Sequence, residues 1–369
     1  MEAPIRFPIE GPGGFGAVLG FTAFRNIWFA QLAAQLADKF LLFSLIILAY
    51  NISGGSTPVA VTLLTYTVPA VLLAPPAGVI ADRLNRKQIM MWCNFGRAAT
   101  IALIPLAALV PGLRHDFAHL LLITLVFSAV GQLFGPAEAS VIPTILPRSA
   151  LITANSMSLL TMVLTLVVGG ALAPILSRID LYAPYWVGAA LLAIAGALIF
   201  ASDIPAIQRT TEPPVAESAS RFRRMTLDIK EGIDAVRASR GLMLAFGQLS
   251  LAVLVLFMLF TLAPAFVSKV IGIAAQDTYV ILVPATTGAI MIPAATYLME
   301  STSDEIRGRI FALLYMVING VTAIPVLVAA ALSDTIGTAH VIGGMGGLLV
   351  VGGVALAMAW TRVAGPLRR

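Results

Sequence analysis

A few ionisable and amide side chains stand inside runs that are otherwise apolar, and these are where the chain could do chemistry. Gln31, Gln35 and Asp38 follow one another at helical spacing and share one helix face, with Lys39 beside them. Ser128, Gln132, Gly135 and Glu138 form a second stripe, and Asn155, Ser158, Thr161 and Thr165 a third, both placed to look into one cavity. Arg97 is the single charge between Gln88 and Gly112. Measured along a helix axis, Asp38 lies roughly 20 Å beyond Arg25 and Arg97 roughly 15 Å beyond Lys87. Both measures start from the same face of a hydrocarbon layer about 30 Å thick, so both charges sit near its middle. A charge at that depth costs at least about 2.5 kcal/mol and is normally found against a partner or a water-filled cavity. The chemistry on offer is therefore ion pairing, proton exchange and the seating of a polar group. Gln31, Gln35, Asp38, Lys39, Arg97, Gln132 and Glu138 are the candidate substrate-binding or coupling residues, with Asp38–Arg97 and Asp38–Lys39 as the alternative pairs.

Covalent and cofactor chemistry have no comparable footing. The chain contains no Ser/His/Asp or Cys/His arrangement, no glycine-rich phosphate loop with its lysine and no dinucleotide fingerprint, which argues against an enzyme and an ATP-driven pump. One cysteine, Cys93, inside an apolar run excludes an internal disulfide and a thiolate metal cluster. His115 and His119, with only Asp116 nearby, read as ordinary residues of a loop and a helix start. No cofactor and no metal are expected.

The elements that must position these residues are membrane helices. With 59% apolar and 11% charged residues over 369 positions and a mean hydropathy of +0.94, the chain cannot cover a soluble globule, which needs about a quarter of its residues charged. Runs of roughly 20 apolar residues predict ten spans, at 25–51, 57–81, 88–111, 118–143, 152–178, 183–203, 242–267, 278–299, 309–333 and 340–361. The net charge of +5 does not make a nucleic-acid patch, because the basic residues recur between the spans. With the N-terminus inside, 18 of the lysines and arginines fall in cytosolic segments and only 3, Arg114, Arg178 and Lys269, in external ones. That asymmetry places both termini in the cytoplasm, in a plasma membrane protein whose first partner is the bilayer. Trp28, Trp92, Trp186 and Trp360 lie near predicted helix ends, as an aromatic belt does.

The polar stretch from Ile204 to Arg240 divides the spans six and four. It predicts a cytosolic tail at 1–24, an N-terminal six-helix bundle at 25–203, a linker at 204–241 and a C-terminal bundle at 242–369. Met225, Ile229, Ile233 and Val236, with charges between them, predict an amphipathic surface helix within the linker. Leu146 to Ser177 has a counterpart in Ser301 to Leu332, an internal repeat. The repeat is incomplete around Asp277 to Tyr297, so the C-terminal bundle is shortened by an even number of crossings.

The segment joining the second and third spans runs Gly78-Val79-Ile80-Ala81-Asp82-Arg83-Leu84-Asn85-Arg86-Lys87. It resembles the corresponding cytosolic loop of the major facilitator superfamily of transporters, with Asn85 where the family usually has a glycine; Asn suits a left-handed turn there. Phe134-Gly135-Pro136-Ala137 through Pro143, Asp228-Ile229-Lys230-Glu231-Gly232 and Glu305-Ile306-Arg307-Gly308-Arg309-Ile310-Phe311 resemble the exporter branch that contains macrolide efflux, enterobactin export and lysophospholipid transport proteins. The resemblance implies an all-α integral membrane protein with the major facilitator fold and two helical bundles, the second truncated. It implies a gating loop of Gly78, Asp82, Arg83, Arg86 and Lys87 that latches onto the start of the eleventh family span, here Glu305, Arg307 and Arg309. Drug–proton antiporters of the superfamily often carry an Arg in the fourth span, which is lacking between Leu120 and Thr144, and their fifth-span Gly-Pro signature is matched loosely by Gly169-Gly170 and Pro174. The implied function is secondary export of a small amphipathic or hydrophobic compound by a monomer, through alternating access of the two halves and in exchange for protons. Met157, Met162, Met258 and Met316 suit an adaptable site. Lipid movement between leaflets, or a non-transporting role following the internal deletion, are the alternatives.

Overall fold

The protein is described by a computed structural model at residues 14–113, 116–204, 240–274 and 323–364, with Leu227, Lys230, Ile233, Asp234 and Arg237 of the linker. In chain order the helices are α1 (Phe15–Leu19), α2 (Thr22–Ser53), α3 (Ser56–Arg83), α4 (Arg86–Ala108), α5 (Phe117–Gly131), α6 (Phe134–Ile145), α7 (Arg148–Ile179), α8 (Ala183–Ala201), α9 (Arg240–Phe266), α10 (Ala323–Ile336) and α11 (Thr338–Ala364). No strand occurs among the described residues. The span predicted at 278–299, most of the one at 309–333 and most of the second repeat lie outside them, as do Glu305, Arg307, Arg309 and Met316. The linker residues that are described are helical, with Ile233 half-buried and Leu227, Lys230, Asp234 and Arg237 exposed.

Five helical stretches, Thr22–Ser53, Arg86–Ala108, Phe117–Ile145, Arg148–Ile179 and Ala183–Ala201, are long and apolar enough to cross a membrane. Their outward faces carry Leu106, Leu122, Leu125, Leu160, Ile194 and Phe200, all exposed. An apolar exterior of this kind is stable against lipid and not against water.

The predicted fourth span lies in one apolar stretch, Phe117–Ile145, whose helical ladder is interrupted between α5, ending at Gly131, and α6, restarting at Phe134. Pro136, in the first turn of α6, has no N–H to offer the carbonyl of Gln132 and its ring crowds that carbonyl, so the helical ladder cannot run through. Asn85 is not left-handed. It has φ −66° and ψ 112°, and its side chain accepts from the Gln88 N–H to cap α4 at 3.2 Å. An Asn at this position supplies an acceptor for an orphan helix donor, which a glycine could not do.

The chain forms two compact units, Met1–Ser44 with Leu72–Thr211, and Leu45–Val71 with Glu212–Arg369. In the first, α4 packs on α8, α5 and α6, and Phe24, Phe40, Phe43, Phe127 and Tyr185 are fully enclosed. In the second, Ala60 of α3 is buried with Leu262, Val326, Ala329, Ala330, Val341 and Met345, and Met258 packs against that cluster. Asp334, exposed at the end of α10, accepts from the Ser56 and Thr57 N–H groups at 2.8 Å each. These donors open α3 and have no acceptor within their own helix. A hydroxyl chain lies behind them, Ser56 to Ser333 at 3.2 Å and Ser333 to Thr338 at 2.8 Å.

Candidate functional site

The polar stripes of α2, α6 and α7 converge inside the first unit, where they meet α4. Asp38 on α2 is ion-paired through Oδ1 with Nη2 of Arg97 on α4. Arg97 is only 5% exposed, and its guanidinium lies over the Phe127 ring, 4.4 Å from the centroid. The aromatic face supplies a second attraction where water is excluded. Gly131 makes room for it: a β-carbon there would stand 3.2 Å from Arg97 Nε.

Lys39 does not pair with Asp38. Adjacent helix positions diverge by about 100°, and Lys39 points to α7, where Gly169 fits against its Cβ. Any side chain at Gly169 would collide with it, so Gly169 serves close helix packing here.

Further back along the α2 stripe, Gln31 bridges two helices. Its amide Nε2 donates to Glu138 Oε2 on α6 at 3.4 Å, and its Oε1 accepts from Ser158 Oγ on α7 at 3.3 Å. One turn on, Gln35 Oε1 lies 3.2 Å from Thr165 Oγ1, whose proton it shares with the nearer Thr161 carbonyl at 2.8 Å. Glu138 is only 9% exposed, and its Oε1 is buried without a hydrogen-bond partner. Gln132 donates back to the Ser128 carbonyl of the preceding helix at 3.2 Å and takes no part in the bridge. Asn155 is exposed, one turn short of the cluster.

Trp28 belongs to this site. Its indole N–H donates to Thr161 Oγ1 at 3.0 Å, while Trp92 and Trp186 are exposed. The signal was in the spacing: Trp28, Gln31, Gln35 and Asp38 continue one helical stripe backwards by a turn. Thr161 passes its own proton to the Met157 carbonyl at 2.8 Å, and Met157 is buried beneath.

In the first turn of α4, Lys87 Nζ donates to the Ser202 carbonyl at 2.6 Å, at the C-terminal, negative end of α8. It is therefore engaged inside its own unit. Arg83 is exposed at the end of α3 and Arg86 opens α4.

Comparison with known proteins places this arrangement. A family model described as Major Facilitator Superfamily matches residues 27–300, which include every stripe described above. The chain is similar to the uncharacterized MFS-type transporter YfiS of Bacillus subtilis (strain 168), 22% identical over 210 residues that make up 56% of this chain and 48% of that protein. The chain thus spans about half the length of the curated relative it matches. Among solved structures it is similar to the nucleoside transporter NupG, with TM-score 0.59 at 13% identity over 91% of this chain and 99% of that one. A POT family transporter in complex with a thioalcohol-conjugated peptide gives TM-score 0.58 at 11% identity, over 97% and 98%. Likeness at such identities speaks for the fold alone. With a helical architecture among the described residues, exposed apolar helix faces and a family match over most of its length, this chain belongs to the major facilitator superfamily and is a multi-pass membrane protein.

Proposed function

We propose that the protein is a secondary active exporter of small amphipathic or hydrophobic compounds, working by alternating access in the plasma membrane with both termini in the cytoplasm. The observation that carries this reading is the Asp38–Arg97 pair, held across α2 and α4 among otherwise apolar helices. A paired charge at that depth is retained at a cost and marks a site of transport or coupling in membrane proteins. Arg97 keeps its charge under any working condition. Opening of the pair in the opposite conformation frees Asp38 to take up a proton, and closure releases it, so the proton gradient drives exchange.

The experiment is transport in vesicles carrying the full chain and its Asp38→Asn variant. Loss of proton-driven transport with retained substrate counterflow is the expected result. Unchanged gradient-driven transport by Asp38→Asn would remove the pair from the coupling mechanism, and absence of any transport by the unaltered chain across an amphipathic compound library would remove the exporter reading.

A further inference from the structure

We infer that Glu138, with Gln31 and Trp28, forms a binding site for the ammonium group of an organic cation. The inference rests on the transporter reading for what the site is for, and on the geometry of the first unit for its chemistry. Glu138 is nine-tenths buried, and one carboxylate oxygen has no hydrogen-bond partner. The other oxygen receives only the long 3.4 Å bond from the Gln31 amide. As an anion, a buried carboxyl so poorly served costs several kcal/mol, so it holds a proton unless a cation or further donors come to it.

No cation of the described residues does so. Arg97 is committed to Asp38 and the Phe127 face. Lys39 lies two turns along α2 from Gln31 and is turned to Gly169. Arg148, at the start of α7, is exposed. The hydroxyls around Glu138 are also spent: Ser158 donates to Gln31, and Thr161 and Thr165 donate to backbone carbonyls of α7. In its carboxylate form the unmet capacity at this point is an acceptor, whose complement is a positive group brought from outside in exchange for the proton.

The surroundings choose among cations. A divalent metal ion needs about six oxygen ligands, and among the described residues no cluster of three or more His, Cys, Asp or Glu side chains exists. An alkylated ammonium needs one anion and apolar or aromatic walls. Trp28 lies one helical turn from Gln31 on the same face, Thr161 one turn from Ser158, and Met157 is buried beside them. An indole face is the best aromatic partner for an ammonium, and a methionine wall adapts to differently shaped substituents. Gln31 contributes by positioning, since Ser158 holds its amide with the Nε2 group turned to Glu138.

The test is equilibrium binding to the full chain in lipid nanodiscs, with no gradient applied. The probes are benzyltrimethylammonium, uncharged benzyl alcohol and anionic benzenesulfonate. The unaltered chain should bind the ammonium at least tenfold more tightly than the other two. Glu138→Gln should lose that preference while its binding of the alcohol stays as it was, and Asp180→Asn, a surface change, should match the unaltered chain. Should Glu138→Gln fail to insert, the readout moves to the unaltered chain: dicyclohexylcarbodiimide modification of Glu138, followed by mass spectrometry, should be slowed by benzyltrimethylammonium and not by benzyl alcohol. Equal binding of the three probes, a preference surviving in Glu138→Gln, or modification slowed equally by both compounds would each overturn the assignment. Because binding is read without transport, such a result leaves the exporter reading standing, and failure of vesicle transport leaves a cation preference standing.

Discussion

Asp334 closes the beginning of the helix that Ser56 opens. The two residues are far apart in sequence, yet the carboxylate accepts from the Ser56 N–H at 2.8 Å and from the Thr57 N–H at the same distance. A capping acid normally belongs to the turn before its own helix; here the last turn of α10 supplies it across space. The anion also meets the positive end of the α3 dipole.

Removing this cap should destabilise the protein. Asp334→Ala is expected to cost about 1–2 kcal/mol, in the range of lost helix caps. Asp334→Asn should cost less, since an amide oxygen still accepts one bond. Denaturant midpoints of the purified chain in detergent check this, and equal midpoints for all three proteins would show that the contact is not a cap.

The same carboxylate should make stability depend on acid. Partial burial alone would raise its pKa, but the Ser56 and Thr57 N–H groups, the Thr57 hydroxyl and the attraction of Lys269 outweigh that and hold it below the ordinary aspartate value. A depressed native value means the stabilisation is fully present above the unfolded aspartate value of about 3.9 and is lost as pH falls through the native one. The gap in stability between the unaltered chain and Asp334→Asn should therefore be constant above about pH 5 and narrow below it. A gap that stayed constant down to about pH 3 would contradict the assignment.

Asp38 and Arg97 should behave as one unit. Asp38→Asn leaves the buried Arg97 guanidinium unpaired and Arg97→Gln leaves the half-buried Asp38 without its cation; each costs less than the roughly 3–5 kcal/mol of a fully buried pair, because the Asp38 side chain is 25% exposed. The double substitution should cost clearly less than the sum, a coupling that a thermodynamic cycle measures. Arg97→Lys should not restore stability, since an ammonium keeps the charge but not the flat face that lies over Phe127. Additive single costs would mean that the two residues act independently.

Close packing at Gly169 should tolerate nothing larger. Gly169→Ala places a methyl group into Lys39 Cβ, and overpacking of this sort costs about 1–3 kcal/mol. Because the clash is with Cβ, Lys39→Ala should not relieve it, whereas Lys39→Gly should relieve part of it. Thermal unfolding of the three combinations decides the point.

Asp82 and Lys87, on either side of the turn between α3 and α4, should separate by phenotype. Lys87→Met removes the donor to the Ser202 carbonyl and should lower stability by about 1 kcal/mol. Asp82→Asn, in the proposed latch, should change the accessibility of cytosolic cysteine probes and the transport rate while leaving unfolding unchanged. If neither transport nor accessibility responds to Asp82→Asn, the latch is abandoned.

The apolar runs, the placing of the basic residues and the polar stripes were legible in the chain because each depends on local spacing. A membrane span is a matter of length and hydropathy, and a stripe a matter of period, so α2, α4, α7 and α8 lie close to their predicted limits. Even Trp28 was readable as part of the α2 stripe. What spacing could not decide was which groups meet. Asp38 had two candidate cations, and the choice of Arg97 follows from the orientation of α4, the opening at Gly131 and the face of Phe127, none of which is adjacent in sequence. The isolation of Glu138 is likewise a property of α2, α6 and α7 together, since only their packing shows that the hydroxyls and cations described around it are already engaged. The Asp334 cap joins two chain regions that no local pattern connects. Local sequence determined the helices and the faces they present; long-range packing, which sets burial and therefore the cost of each unpaired charge, decided what those faces do.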